Sequence, residues 1–234
     1  SYNNYSEWTG VYRIACDPAD ANILYASTEG GLKVSIDAGT TWANASGTTS
    51  GTSTVVKIGS DGSVICIISN NLYRKLGTET SFSKRSGEGG FPKGGSVGRV
   101  ELAIAPSDPA YMYAACADGS GFLYNIYQSK DSGENWEVIG AGGAPEEFYP
   151  FSYKSSIAQG WYDNVIAVHP TDPEAVFVGG ISFWRWMKGK GWQRLNSLSQ
   201  SATNQYYVHA DNHAITFQTS NPNTMFIGND GGVY

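Results

Sequence analysis

The chain has 234 residues and a formal net charge of −6. Only 15% of its side chains are charged, against about 25% on average. That scarcity argues against coiled coils and helical bundles, 41% hydrophobic content argues against disorder, and the acidic balance argues against a phosphate-binding nucleic-acid surface. No run of 18 apolar residues is present to span a bilayer as a helix. With 29 glycines and 13% aromatics, the composition fits a turn-dense all-β protein.

The chain opens Ser1-Tyr2-Asn3-Asn4, with no initiator Met and no signal-type apolar stretch. The expectation is a removed signal or a piece of something longer. An alternating segment then begins at Tyr12 and runs to Asp17-Pro18, passes the turn Ala19-Asp20-Ala21-Asn22, and is followed by the apolar run Ile23–Ala26. The same strand–turn–strand unit recurs at Val55, Val100, Val165 and Ala214, with turns at Ser60-Asp61-Gly62, Ser107-Asp108-Pro109, Thr171-Asp172-Pro173 and Ser220-Asn221-Pro222. Repeats of about 40–50 residues built from short strands predict propeller blades, each a four-stranded sheet. The predicted blades are 8–46, 52–86, 97–140, 160–198 and 206–234, the last incomplete. The expectation is therefore about four and a half blades of a larger propeller, with the whole chain in one domain.

Cys16, Cys66 and Cys116 each lie in an apolar, strand-like run and read as small buried hydrophobes, with a disulfide or redox role as the alternative. Asn4-Tyr5-Ser6 and Asn44-Ala45-Ser46 are glycosylation-type triplets.

Two repeats carry a second motif. Ser35-Ile36-Asp37-Ala38-Gly39-Thr40-Thr41-Trp42 and Ser129-Lys130-Asp131-Ser132-Gly133-Glu134-Asn135-Trp136 both read Ser-x-Asp-x-Gly-x-x-Trp. Asp is expected to accept amide hydrogens in a hairpin turn, Gly to take a positive φ, and Trp to pack back between neighbouring blades. Lys188-Gly189-Lys190-Gly191-Trp192 and Thr78-Glu79-Thr80-Ser81-Phe82 keep only the aromatic end. Here the chain resembles the bacterial neuraminidase repeat, or Asp-box, β-propellers. The resemblance extends to sortilin-like, sialidase-like and xyloglucanase-like propellers, and His209–His213 with Gly228–Tyr234 is most similar to exported bacterial surface proteins. It implies that Ser35, Asp37, Gly39, Trp42, Ser129, Asp131, Gly133 and Trp136 are structural. It also implies that sialidases hold their substrate with an arginine triad. Here Arg13, Arg74, Arg99, Arg185 and Arg194 are dispersed, which argues against that activity.

In a propeller, the loop leading into each inner strand shares a face with the loop joining the second and third strands, and loops on a rigid scaffold carry function. This places Arg99 and Glu101, Trp161-Tyr162-Asp163-Asn164, and His209-Ala210-Asp211-Asn212-His213 on one face, with Asp230 beside the last group. Strand alternation would point His209, Asp211 and His213 the same way. They read as a metal site, as acid/base carboxylates (Asp163 with Asp211 or Asp230), or as a hydrogen-bonded network tying inner strands together. The insertion 141–153 brings Phe148, Tyr149, Phe151 and Tyr153. With Trp184 and Trp186 they would stack on a sugar or a protein, or cover a blade edge.

The reading is a secreted or cell-surface propeller that binds protein or glycan, or serves as a structural module. Its binding residues would be Arg99, Tyr162, His209, His213, Phe148, Tyr149, Phe151, Trp184 and Trp186. The alternative is a glycoside hydrolase using Asp163, Asp211 and Asp230. No cofactor is expected beyond the metal reading of His209, Asp211 and His213. No nucleic acid or membrane span is expected. The remainder of its own propeller or a surface assembly is a further candidate partner.

Overall fold

The computed structural model describes residues 8–143, 148–153, 157–197 and 205–234. The triplet Asn4-Tyr5-Ser6 and residues 144–147 of the insertion lie outside them. The fold is all-β, a series of antiparallel sheets of the β-propeller type. The first sheet holds β1 (Val11–Cys16), β2 (Leu24–Thr28), β3 (Gly31–Ser35) and β4 (Ala43–Asn44). The second holds β5 (Ser53–Ile58), β6 (Val64–Ile68), β7 (Asn71–Lys75) and β8 (Ser83–Lys84). The third holds β9 (Arg99–Ile104), β10 (Met112–Ala117), β11 (Leu123–Ser129) and β12 (Glu137–Ala141). A small hairpin, β13 (Ser152–Tyr153) with β14 (Ile157–Ala158), precedes the fourth sheet. That sheet holds β15 (Val165–His169), β16 (Asp172–Gly179), β17 (Phe183–Met187) and β18 (Gly191–Arg194). The last sheet has three strands, β19 (Asn212–Gln218), β20 (Asn221–Asn229) and β21 (Gly232–Val233).

One local device closes the first hairpin of every sheet. The side-chain oxygen of an Asp or Asn accepts the amide hydrogen two residues on: Asp17 from Ala19 at 2.8 Å, Asp61 from Ser63 at 3.0 Å, Asp108 from Ala110 at 3.1 Å, Asp172 from Glu174 at 3.0 Å and Asn221 from Asn223 at 3.2 Å. The short acceptor stands in for a backbone carbonyl and fixes the reversal.

The contacts divide into two compact units, Ser1–Gly95 with Ser129–Trp136, and Ser96–Gln128 with Glu137–Tyr234. In the first, the core lies between β2–β3 and β5–β7, built from Tyr25, Leu32, Val56, Val64, Cys66, Ile68, Tyr73 and Phe82. In the second, Tyr113, Ala115, Ile126, Phe151, Ile166, Val168, Val176 and Val178 pack together, and Phe177, Phe183 and Ile227 form a further cluster with Ile215, Phe217 and Met225. The second strands of the second and third sheets are covered throughout: every residue of β6 and β10 is buried. This accounts for two cysteines, since burial pushes the Cys66 and Cys116 thiols up. Cys16 departs from the expectation. It is an exposed free thiol at the end of β1, a strand whose residues are mostly exposed.

Candidate functional site

The two Ser-x-Asp-x-Gly-x-x-Trp turns are superimposable in their hydrogen bonds. Ser35 Oγ donates to Asp37 Oδ1 at 2.8 Å and accepts from Gly39 N at 2.8 Å. Asp37 accepts from Thr41 N at 2.8 Å and Thr41 Oγ1 at 2.6 Å, and Trp42 Nε1 donates to Gly39 O. In the second turn Ser129, Asp131, Gly133, Asn135 and Trp136 repeat each role. Gly39 and Gly133 adopt φ of 86° and 79°, and Ala38 and Ser132 before them are also left-handed. Both aspartates titrate below the usual carboxylate range. Donors from Thr41 and Ser35 hold Asp37 down, while burial raises Asp131 but is outweighed by Asn135 and Ser129. The aromatic ends pack back as expected: Trp136 on Phe91 (centroids 5.1 Å apart), Phe82 on Tyr25 (6.0 Å), and Trp192 Nε1 donates to Ile139 O at 2.7 Å. The polar side chains of both turns are engaged in closing the turns themselves.

The segment Gly160–Asn164 leads into β15. Tyr162 and Asp163 both donate their amide hydrogens to Gln159 O, at 2.6 and 2.9 Å, which curls the segment. Arg99, at the start of β9, clamps it from outside. Its Nη1 donates to the carbonyls of Trp161 and Tyr162, and its Nη2 donates to Asn164 O at 3.3 Å and to Glu101 Oε1 at 2.9 Å. Arg99 is therefore committed to main-chain carbonyls and Glu101, which corrects its assignment as a ligand contact.

The clamped segment presents two aromatic side chains outward. Trp161 is 61% exposed and Tyr162 48%. The Trp161 ring is tethered by Nε1 donating to Ala158 O at 3.2 Å. Tyr162 meets His213 edge-on with centroids 4.9 Å apart, and His213 Nε2 lies 2.7 Å from Asp230 Oδ1. Trp161, Tyr162, His213 and Asp230 thus form one continuous, partly exposed row.

Asp163 turns the other way and is fully buried. Neither of its carboxylate oxygens has a hydrogen-bond partner among the described residues. Burial raises its pKa most; its own amide opposes this, the neighbouring Asp211 carboxylate adds to the rise and the Arg99 charge offsets part of it, leaving it pushed up to about 8. At neutral pH Asp163 is mostly the neutral acid.

Asp211 has φ of 64°, a left-handed conformation, and β19 begins only after it, at Asn212. This overturns the expected alternation of His209, Asp211 and His213. Asp211 faces Asp163, and His213 pairs with Asp230. His209 bonds through its ring nitrogen to Ala210 O and packs over Gly231, where a Cβ would come within 2.7 Å of it. Among the described residues no three His, Cys, Asp or Glu side chains are grouped to hold a metal ion.

Sequence reasoning missed Asn164 and Asn212. Asn164 Nδ2 donates to Ala115 O in β10 at 3.2 Å and Asn212 Nδ2 to Gly180 O, just past the end of β16, at 2.7 Å, each side chain bonding the preceding sheet at or beside its second strand. The signal was present as the dipeptide Asp-Asn at both lead-ins, Asp163-Asn164 and Asp211-Asn212.

The aromatics of the insertion are occupied. Phe148 stacks on Trp192 (4.4 Å between centroids) and meets Trp184 edge-on (5.1 Å), and Tyr149 also abuts Trp184. Gly140 makes room, because a Cβ there would sit 2.8 Å from the Phe148 ring. Phe151 is 0% and Trp184 6% exposed, and Trp186 packs on the same core. These residues cover the sheet edge, which corrects their reading as a platform for sugars. Tyr153, half exposed, is the exception.

No family model matches the chain, and no curated protein matches it in sequence. Solved structures do. An ancestral GH74 enzyme aligns with a TM-score of 0.66 at 15% identity, over 95% of this chain and 28% of that one. The GH74 xyloglucanase from Xanthomonas campestris aligns at 0.64 and 16% identity, over 94% and 35%. YCF48 bound to D1 peptide aligns at 0.51 and 15% identity, over 91% and 60%. The chain therefore spans about a third or less of the two GH74 enzymes. At these identities the likeness establishes the fold and no more: the chain is a β-propeller module.

Proposed function

We propose that this is a secreted or cell-surface binding module of the Asp-box propeller type, which receives a glycan or a protein segment on the row Trp161–Tyr162–His213–Asp230. One observation carries the reading. Arg99 clamps the main chain beneath two aromatic side chains that are about half exposed or more, the Trp161 ring is tethered to Ala158 O, and the Tyr162 ring rests edge-on against His213. Exposed aromatics that have already lost their conformational freedom bind at little further entropic cost. His213 and Asp230 supply polar atoms at the end of the row to orient a ligand. The extracellular location rests on the resemblance to exported propellers.

Hydrolysis has less support. A glycosidase pair needs two carboxyls roughly 5–10 Å apart on either side of a reachable bond. Asp163 is buried against Asp211 instead, and cannot touch a substrate without rearrangement.

The test is a glycan and peptide array probed with the wild type and with Trp161→Ala/Tyr162→Ala. Binding that drops at least tenfold in the variant, with no turnover of any bound glycan, supports the reading. Binding unchanged in the variant sinks it.

A further inference from the structure

The first unit carries a groove that the aromatic row does not use. It has a volume of about 460 Å³ and is lined by Asn71, Lys84, Ser86, Gly87, Glu88, Lys93, Gly94 and Gly95. That volume falls in the range of small-ligand sites, roughly 300–1,000 Å³. Its lining contains no apolar side chain.

The charges in it are unequal. Glu88 is held by Arg85, with Nη1 to Oε2 at 3.2 Å. Lys84 and Lys93 have no ion pair or side-chain hydrogen bond among the described residues. In a protein of net charge −6, two uncompensated ammonium groups facing one groove give it local positive potential. The polar neighbours are fixed. Ser86 Oγ accepts from Leu72 N at 2.8 Å, which leaves its own hydrogen to donate. Asn71 Nδ2 donates to Ser69 O, leaving Oδ1 toward Gly94, where a Cβ would come within 2.5 Å of that oxygen. The Lys93 stem lies over Gly87, whose φ of 83° suits glycine. A hydroxyl donor, an amide acceptor and two cations thus surround a floor of bare backbone.

We infer that this groove binds an acidic saccharide, with Lys84 and Lys93 taking its carboxylate or sulfate groups and Ser86 and Asn71 its hydroxyls. A peptide is the poorer fit, because an all-polar lining offers nothing to apolar side chains, whereas a sugar presents hydroxyls throughout. The site is separate from the aromatic row and does not rest on it.

Titration calorimetry of the full chain with four probes tests this: a uronic-acid oligosaccharide, a sulfated oligosaccharide, a neutral oligosaccharide of the same length, and a polyglutamate peptide. The expected result is binding of one or both acidic probes, weakening several-fold between about 50 and 300 mM salt. It should fall at least tenfold in Lys84→Ala/Lys93→Ala, survive in Lys84→Arg/Lys93→Arg, and persist in Trp161→Ala/Tyr162→Ala. The relative affinity of the carboxylated and sulfated probes names the anion. Both lysines are exposed and unpaired, so the alanine variant should keep the wild-type melting temperature. Equal affinity for the neutral probe, no binding of either acidic probe, equal binding of a polyglutamate peptide, or an unchanged affinity in the alanine variant would each overturn the inference.

Discussion

Asp163 makes the stability of the second unit depend on pH. Its folded pKa is raised to about 8 from a usual value near 3.8. Between those values the folded state binds a proton that the unfolded state releases, so stability falls as pH rises, by up to about 1.4 kcal/mol per pH unit. Asp37, Asp131 and Glu134 are shifted down, so their contribution is present above their usual carboxylate values and lost as pH falls below them. The two trends together place the maximum of thermal stability on the acidic side of neutral. Asp163→Asn removes the charge and keeps the shape, and its amide can donate to Asp211. This variant should melt higher than wild type at pH 8 and show a flat profile between pH 5 and 8. A wild-type profile already flat over that interval would contradict the assignment.

At the level of elements, the hairpin turns and the blade-edge aromatics divide the stability. Ser129 Oγ is buried and joins three bonds of its turn, donating to Asp131 and accepting from the amides of Asp131 and Gly133. Ser129→Ala leaves the buried Gly133 amide short of an acceptor and is expected to cost about 1–3 kcal/mol in urea unfolding. Phe148→Ala vacates the space between Trp184 and Trp192, and should cost about 3 kcal/mol while leaving ligand affinity unchanged. A loss of binding with no loss of stability would return Phe148 to the ligand-contact role that its packing argues against.

For the whole molecule, the complete burial of β6 and β10 predicts a thiol count. One cysteine, Cys16, should react with a thiol reagent in native protein; Cys66 and Cys116 should react only on unfolding. Three fast-reacting thiols in the native state would show that the sheet faces are open.

Much of this architecture was legible in the chain. The Asp and Asn turns, the alternating strands and the two Trp-terminated motifs are local, with partners within a few residues, so spacing alone specifies them. His209-Ala210-Asp211-Asn212-His213 misled for the same reason. Alternation predicts side-chain direction only inside a strand, and the left-handed Asp211 ends that regime one residue before β19. The roles of Arg99, Phe148 and Trp184 depend on partners about 35 to 65 positions away in the chain, and no local pattern records those. Composition and repeats thus determined a β-propeller and its turns. Only the tertiary structure decided which polar and aromatic residues are spent on holding it together, because burial and long-range hydrogen bonding are properties of the assembled sheets.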